Sequence, residues 1–240
     1  MFGYQWGTIL MSTGITAVVA VRSGSQRIKD KNLQKIGSKT LLERKLEVLA
    51  LLKAAGFIEE IIVNSDSDLM LSIGEDYDCS IHKREEYYAS SECTNSEFHK
   101  HIGEITNAEH IFLAPVCSPF ISVKTHESAI KFYLENSYDS ITSITEVKNH
   151  LWLDGYPLNY DLDDVPNSQD LPEIFKLNYG ITIAKRDVLR GMSRVVGDNP
   201  GFILTDEVES IDIDTPFDYA VAKAIYSDNE IYNWGEFYNF

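Results

Sequence analysis

A chain of 240 residues, 44% hydrophobic and 24% charged, is long enough to bury a full core and has the composition of a globular protein. Its 37 Asp and Glu against 21 Lys and Arg give a net charge of −16, which argues against general binding to nucleic acid or an anionic membrane. Three cysteines (Cys79, Cys93 and Cys117) show no CxxC spacing, so a disulfide framework and a structural zinc site are not expected, and reduced thiols in a cytoplasmic protein are.

No apolar run approaches ~18–20 residues, so no membrane span is expected. Residues 1–14 lack the basic start of a signal peptide and are set aside as an N-terminal extension, with Met11 a candidate start. From there the elements alternate. "ITAVVAV" (15–21) reads as a buried strand, and "TLLERKLEVLALLKAA" (40–55) as a helix closed by Gly56. "EEIIVNSD" (59–66) is a second strand followed by a short helix. "HIFLAPV" (110–116) is a third strand, "VKTHESAIKFYLENS" (123–137) a helix and "DSITSITEV" (139–147) a fourth strand. This alternation predicts an α/β fold, a three-layer arrangement around a mostly parallel sheet.

After residue 148 the rhythm breaks. The stretch 148–176 is rich in Pro, Asp and Asn without helical period, and reads as an extended arm or hairpin. The sheet resumes at "NYGITIAK" (178–185). "VESIDIDTPFDYAVAKAIYSD" (208–228) reads as strand, turn and helix, with Thr215 as N-cap and Pro216 in the first turn. The domain is thus expected over 15–228, with 229–240 as an aromatic tail.

Two constellations carry chemistry. Between Arg22 and Lys45 stand eight basic residues, opposed only by Asp30 and Glu43. The loop after the first strand, "RSGSQRIKDKN", lies where ligands bind in such sheets. Ser23, Gly24 and Ser25 permit close backbone approach, and Arg22 and Lys31 would be charge-assisted donors to a polyphosphate. A solvated charged loop is the competing reading. GxGxxG is absent, and "IGSKT" (36–40) fails as a P-loop because Ser38 stands before Lys39 and Leu33 takes the place of the first Gly. The second constellation is "IDIDTP" (211–216). On a strand, Asp212 and Asp214 would share one face and could seat Mg²⁺; a solvated strand edge is the alternative. "NSDSD" (64–68) offers another pair, Asp66 and Asp68, read as a helix start with Ser65 or Asp66 as the cap.

These segments resemble the cytidylyltransferases that make CMP-sialic acid and related CMP-nonulosonates. "AVRSGSQRIKDKNL" is similar to that family's N-terminal signature and "VESIDIDTPFDYAVAKAI" to its metal-binding segment, with "VNSDSD", "APVCSPF", "DSITSITEV" and "SQDLPEIFKLNYGITIAKRDVL" between them in the family's order. The resemblance implies a Rossmann-like nucleotide-diphospho-sugar transferase fold. It implies CMP transfer from CTP to the anomeric hydroxyl of a 2-keto sugar acid, with release of pyrophosphate. Arg22, Ser25, Gln26 and Lys31 would hold the triphosphate, and Asn32 would contact the cytidine. Arg84, Thr94 and Asn95 would lie in the nucleotide pocket, and Asp212 and Asp214 would carry Mg²⁺. The arm would make a homodimer and reach toward the partner's active site.

The departures from the family pattern fall on the sugar side. Ala114 or Pro115 stands in place of a Gln, Ile121 or Ser122 in place of an Arg, Asn167 in place of another Arg, and "NYG" (178–180) in place of "NGA". Lys148, Lys176 and Lys185 are candidates for meeting a sugar carboxylate. Two other functions remain open: a non-catalytic nucleotide-binding homologue, and a nucleotide-sugar glycosyltransferase using Asp66 and Asp68.

Overall fold

A computed structural model describes residues 12–232. The first strand, β1 (Ile15–Ala20), feeds two apolar clusters: Ile15, Ala17 and Val19 join one, and Val18 the other. Successive strand residues point to opposite faces, so this strand lies at the centre of a sheet covered on both sides. Helix α1 (Leu41–Ala54) starts at a capping box, in which the Thr40 hydroxyl accepts from the Glu43 N–H at 3.1 Å and the Glu43 carboxylate accepts from the Thr40 N–H at 2.6 Å. Leu42, Leu46, Leu49 and Leu52 recur at helical spacing and are fully buried. Each such burial stabilises by about 1.5–3 kcal/mol.

The chain continues through β2 (Glu60–Ser65), α2 (Asp68–Asp76), β3 (Ser80–Lys83), α3 (Asn95–Glu104), β4 (His110–Leu113), α4 (Val123–Glu135) and β5 (Ser140–Glu146). It ends through β6 (Phe175–Lys185), α5 (Arg186–Met192), β7 (Pro200–Leu204) and α6 (Pro216–Tyr232). These strands form a seven-stranded sheet in the order β7-β5-β6-β4-β1-β2-β3. Only β6 runs antiparallel to its neighbours; the other pairings are parallel. α1, α2, α4 and α6 pack one face of the sheet, and α3 and α5 the other. The three-layer, mostly parallel expectation holds. From β1 the chain winds outward to β2 and β3, then crosses back to β4 on the other side. That reversal opens a crevice beyond the carboxyl ends of β1 and β4.

Several sequence-based bounds change. The segment 208–214 is not a strand: after the turn 207–210 it runs extended without sheet partners. Tertiary bonds hold it instead. Glu209 accepts from the Ser122 N–H at 3.0 Å and the Thr125 hydroxyl at 2.6 Å, and the Ile213 N–H donates to the Cys117 carbonyl at 2.9 Å. The closing helix does begin at Thr215, whose hydroxyl accepts from the Asp218 N–H at 3.3 Å while the Asp218 carboxylate accepts from the Thr215 N–H at 2.7 Å. It runs to Tyr232, past the expected boundary at 228. Within the arm, Trp152–Leu153 pairs with Tyr156–Pro157 through an Asp154-Gly155 turn at φ 51° and 85°. Two consecutive left-handed residues are what a two-residue hairpin turn demands. The arm then passes a 3-10 turn at Ser168–Asp170 and enters β6 at Phe175. Met11 and residues 233–240 of the tail lie outside the described residues. Among the described residues, no helix is long and apolar enough to cross a membrane.

α3 and α5 meet so closely that a Cβ on Gly103 would lie 2.8 Å from the Arg190 backbone nitrogen. Alanine has the better helix propensity, yet the backbone of α5 would have to move. Gly103→Ala should therefore destabilise the protein by about 1–3 kcal/mol, read as a lower urea midpoint with an unchanged slope.

Candidate active site

The loop after β1 closes over the crevice. Gly24 takes φ +71°, and a Cβ there would meet nothing within 4 Å, so its backbone faces open space. The loop is anchored at its start, where the Asp66 carboxylate accepts from the Ser23 N–H at 2.9 Å and from the Ser23 hydroxyl. Partial burial works to raise the pKa of Asp66, but the Ser23 bonds outweigh it and hold the carboxyl below its ordinary value. Arg22 donates to the carbonyls of Ala89 at 2.5 Å and Ser90 at 3.1 Å, and Gln26 to the Ser91 hydroxyl at 3.1 Å. The buried Asn32 donates to the Arg22 carbonyl at 2.9 Å and fixes the loop's curvature.

At its far end the loop meets the C-terminal segment. Lys31 Nζ donates to the Ile213 carbonyl at 2.9 Å and to Asp214 Oδ1 at 3.0 Å, and Arg27 reaches Asp214 Oδ2 at 3.0 Å. These groups surround a cavity of about 270 Å³ lined by Arg22, Ser25, Gln26, Lys31, Asn32 and Asp214, with Cys117 on the opposite wall. Six residues singled out in the sequence thus converge. The role of Arg27 was missed; its only sequence signal was membership of the basic run.

The remaining candidates are spread more widely. Asn95 lines an adjoining cavity of about 340 Å³ with Phe98, sharing Ala20 and Pro115 with the first. Thr94 spends its hydroxyl capping α3, accepting from the Glu97 N–H at 3.2 Å. Arg84 is buried and forks onto Asn64, at 2.6 Å to the side chain and 2.8 Å to the backbone carbonyl. Burial pushes its pKa down to about 10, so it stays charged at neutral pH. Its guanidinium lies 5.1 Å from the centre of the Phe98 ring.

Asp212 and Asp214 do not share a strand face, because there is no strand. Asp214 lines the loop cavity; Asp212 lines another, of about 550 Å³, together with Lys176, Tyr179 and Phe217. Asp212 Oδ1 is buried without a hydrogen-bond partner. Burial raises its pKa, against the neighbouring Cys117 thiol, which acts to lower it. An orphaned buried carboxylate oxygen beside a second carboxylate is a donor set suited to a hard divalent cation. Among the described residues, no group of three or more His, Cys, Asp or Glu could hold a metal. A cation here would take its other ligands from phosphate and water.

The other acidic pair is engaged elsewhere. Asp66 holds Ser23, and Asp68 pairs with Lys83 at 2.5 Å. Ser67, rather than Ser65 or Asp66, caps α2. The P-loop-like stretch is a small hairpin joining Lys35–Ile36 to Lys39–Thr40, in which Lys39 pairs with Glu47.

The fold is an α/β protein with a cation-lined crevice at the sheet's reversal point. The family model described as cytidylyltransferase matches residues 16–153, and the chain belongs to that family. It is 29% identical over 223 residues to the N-acylneuraminate cytidylyltransferase of Escherichia coli O18:K1:H7, covering 90% of this chain and 52% of that protein. This chain therefore spans about half the length of that relative. It is 26% identical to the CMP-N,N'-diacetyllegionaminic acid synthase of Legionella pneumophila, with 90% of this chain and 97% of that protein covered. Its fold matches a CMP:2-keto-3-deoxy-manno-octonic acid synthetase solved with CTP, at TM-score 0.64 and 15% identity over 90% of this chain and 99% of that one.

The Asp66 anchor gives a pH signature. Its folded pKa lies below the ordinary 3.8, so its contribution is fully present above that value and is lost as pH falls through the folded pKa. Asp66→Asn should destabilise the protein at pH 7, and the gap to wild type should narrow in urea titrations run below pH 4.

Proposed function

We propose that this chain transfers CMP from CTP to the anomeric hydroxyl of a 2-keto sugar acid of the sialic or nonulosonic class, releasing pyrophosphate. The observation that carries the reading is the convergence of Arg22, Ser25, Gln26, Lys31 and Asn32 with Asp214 around one cavity at the sheet's reversal point. Family membership and the sugar acids named in its relatives support it.

In this reading the triphosphate lies along the loop after β1. Lys31 and Arg27, now paired with Asp214, turn toward phosphate oxygens, and Gly24 and Ser25 offer backbone N–H groups. The anomeric oxygen attacks the α-phosphorus, the bond from that phosphorus to the bridging oxygen of pyrophosphate breaks, and the hydroxyl proton passes to solvent. Lys31 and Arg27 neutralise charge growing on the leaving group, and the loop holds it in line with the attacking oxygen. Asp212 and Asp214 would hold Mg²⁺, which when bound supplies Lewis-acid charge neutralisation. Of the three lysines considered for the sugar carboxylate, Lys176 suits the role best. It lines the Asp212 cavity, whereas Lys148 pairs with Glu146 at 2.7 Å and Lys185 stands at the far end of β6, opposite His110. The protein is read as a cytoplasmic homodimer. Trp152, Leu153, Tyr156 and Leu158 leave the arm with an exposed apolar surface that a second copy would cover.

Pyrophosphate release from CTP and Mg²⁺, measured across a panel of 2-keto sugar acids, tests the function. Release with CTP and one acid is expected; CTP binding without release from any acid would favour the non-catalytic homologue. Asp214→Asn should keep the fold and cut turnover by on the order of 10²-fold or more, and near-normal turnover would remove Asp214 from the site. Deleting residues 150–170 should shift sedimentation from dimer to monomer.

A further inference from the structure

Arg84 is held by a single residue. Its Nε donates to Asn64 Oδ1 at 2.6 Å and its Nη2 to the Asn64 carbonyl at 2.8 Å. The same carbonyl accepts from the N–H of Val21, where β1 passes into the basic loop, at 3.0 Å. The guanidinium lies over Phe98, which lines the cavity adjoining that loop. Asn64 thus fixes Arg84 against both the loop and the cavity wall. It is fully buried, so each end of its side-chain amide needs a partner.

Arg84 can only donate, so the amide of Asn64 must turn its oxygen toward it. Nδ2 of Asn64 therefore carries the hydrogens, and it stands 2.8 Å from Nδ1 of His82, directly opposite on β3. An amide nitrogen accepts nothing. His82 Nδ1 must be the acceptor, and its ring is neutral with the proton on Nε2. A proton on Nδ1 would face a donor. Asn64 cannot turn over to receive it, because its NH2 would then face Arg84.

The surroundings do little to favour a charge on His82. From α3, the buried His101 stands edge-on to it at 5.6 Å and stacks on Tyr88 at 3.9 Å, with its own Nε2 unpartnered. Burial first, then His82 and Arg84, holds the pKa of His101 below its ordinary value. Glu85 and Glu104 act on this cluster from exposed positions. Asp66 favours the charge on Arg84 and Arg22 opposes it. Lys83 points to the other face of β3 and pairs with Asp68.

We propose that Asn64 and His82 are positioning residues for Arg84, and that a proton on His82 loosens Arg84 and with it the hold on the nucleotide. This rests on the cytidylyltransferase reading and adds a pH control to its nucleotide site. CTP affinity falls as His82 becomes charged, and by reciprocity bound CTP keeps His82 neutral.

The test titrates CTP into the full chain by calorimetry at about pH 7.5 and about pH 5.5, for wild type, His82→Asn, His82→Leu and His101→Phe. Asparagine at 82 keeps an acceptor near the Nδ1 position that takes up no proton. His82→Asn should match wild type at the higher pH, and wild type should lose about tenfold more affinity than it on acidification. His82→Leu leaves the Asn64 NH2 unpaired and should bind about tenfold more weakly than wild type at the higher pH. His101→Phe keeps a ring against Tyr88 and should retain the wild-type pH dependence. Long-range nitrogen NMR of wild type should show Nδ1 of His82 as the unprotonated nitrogen. A proton on that Nδ1 at the higher pH, a His82→Asn protein that weakens with acid as wild type does, a His82→Leu protein as tight as wild type, or a His101→Phe protein that no longer weakens would overturn the assignment. A wild type with the expected tautomer that binds no CTP at either pH would instead overturn the cytidylyltransferase reading.

Discussion

Lys31 and Asp214 are 183 positions apart in sequence, and their contact at 3.0 Å joins the start of the chain to its end. Lys31 also binds the Ile213 carbonyl, so one ammonium fixes both the backbone and the side chain of the C-terminal segment. Its side chain is 19% exposed and that of Asp214 39%, which places the pair at the mouth of the crevice rather than on open surface. One carboxylate thus positions two cations of the loop after β1. Asp214 draws Lys31 and Arg27 together within the basic loop of an acidic protein. The cost of gathering positive charge is offset locally, and the remaining surface can stay acidic.

The rest of the architecture serves that junction. The reversal between β1 and β4 opens the crevice, and the Asp66–Ser23 bonds fix where the loop leaves β1. Arg22 and Gln26 tie the loop to residues 89–91. On the far side, Glu209 and the Ile213–Cys117 bond hold Asp212 and Asp214 in place without a strand. Asp212 is left with a buried, unpartnered oxygen, and burial holds its pKa up. Such a group is costly in isolation, and a nearby positive charge offsets the cost.

Much of this could be read from the sequence because it is written locally. β1, α1, β2, α4 and β5 are apolar runs or helical stripes, and the basic loop follows the first strand directly. What was missed is set by tertiary contacts. α3 carries just two apolar side chains, Phe98 and Ile102, one turn apart, so its apolar face is too short to read as a helical stripe. β7 opens on Pro-Gly, residues that weaken a strand signal but are tolerated at a sheet edge. β3 is a short edge strand with mostly exposed side chains. "IDIDT" alternates like a strand, yet its hydrogen bonds go to a loop and a lysine. The antiparallel run of β6 reflects the arm returning the chain beside β5, and the left-handed Tyr179 sits in the register slip of β6 against β5; sequence periodicity reveals neither.

The most direct measurement is a calorimetric titration of cytidine, CMP, CDP and CTP against wild type and Lys31→Met at several salt concentrations. If the loop after β1 is a polyphosphate cradle, affinity rises with each phosphate, the gain weakens with salt, and Lys31→Met removes most of it while cytidine binding stays the same. Cytidine binding as tightly as CTP, or a Lys31→Met protein that keeps the full phosphate dependence, would contradict the account.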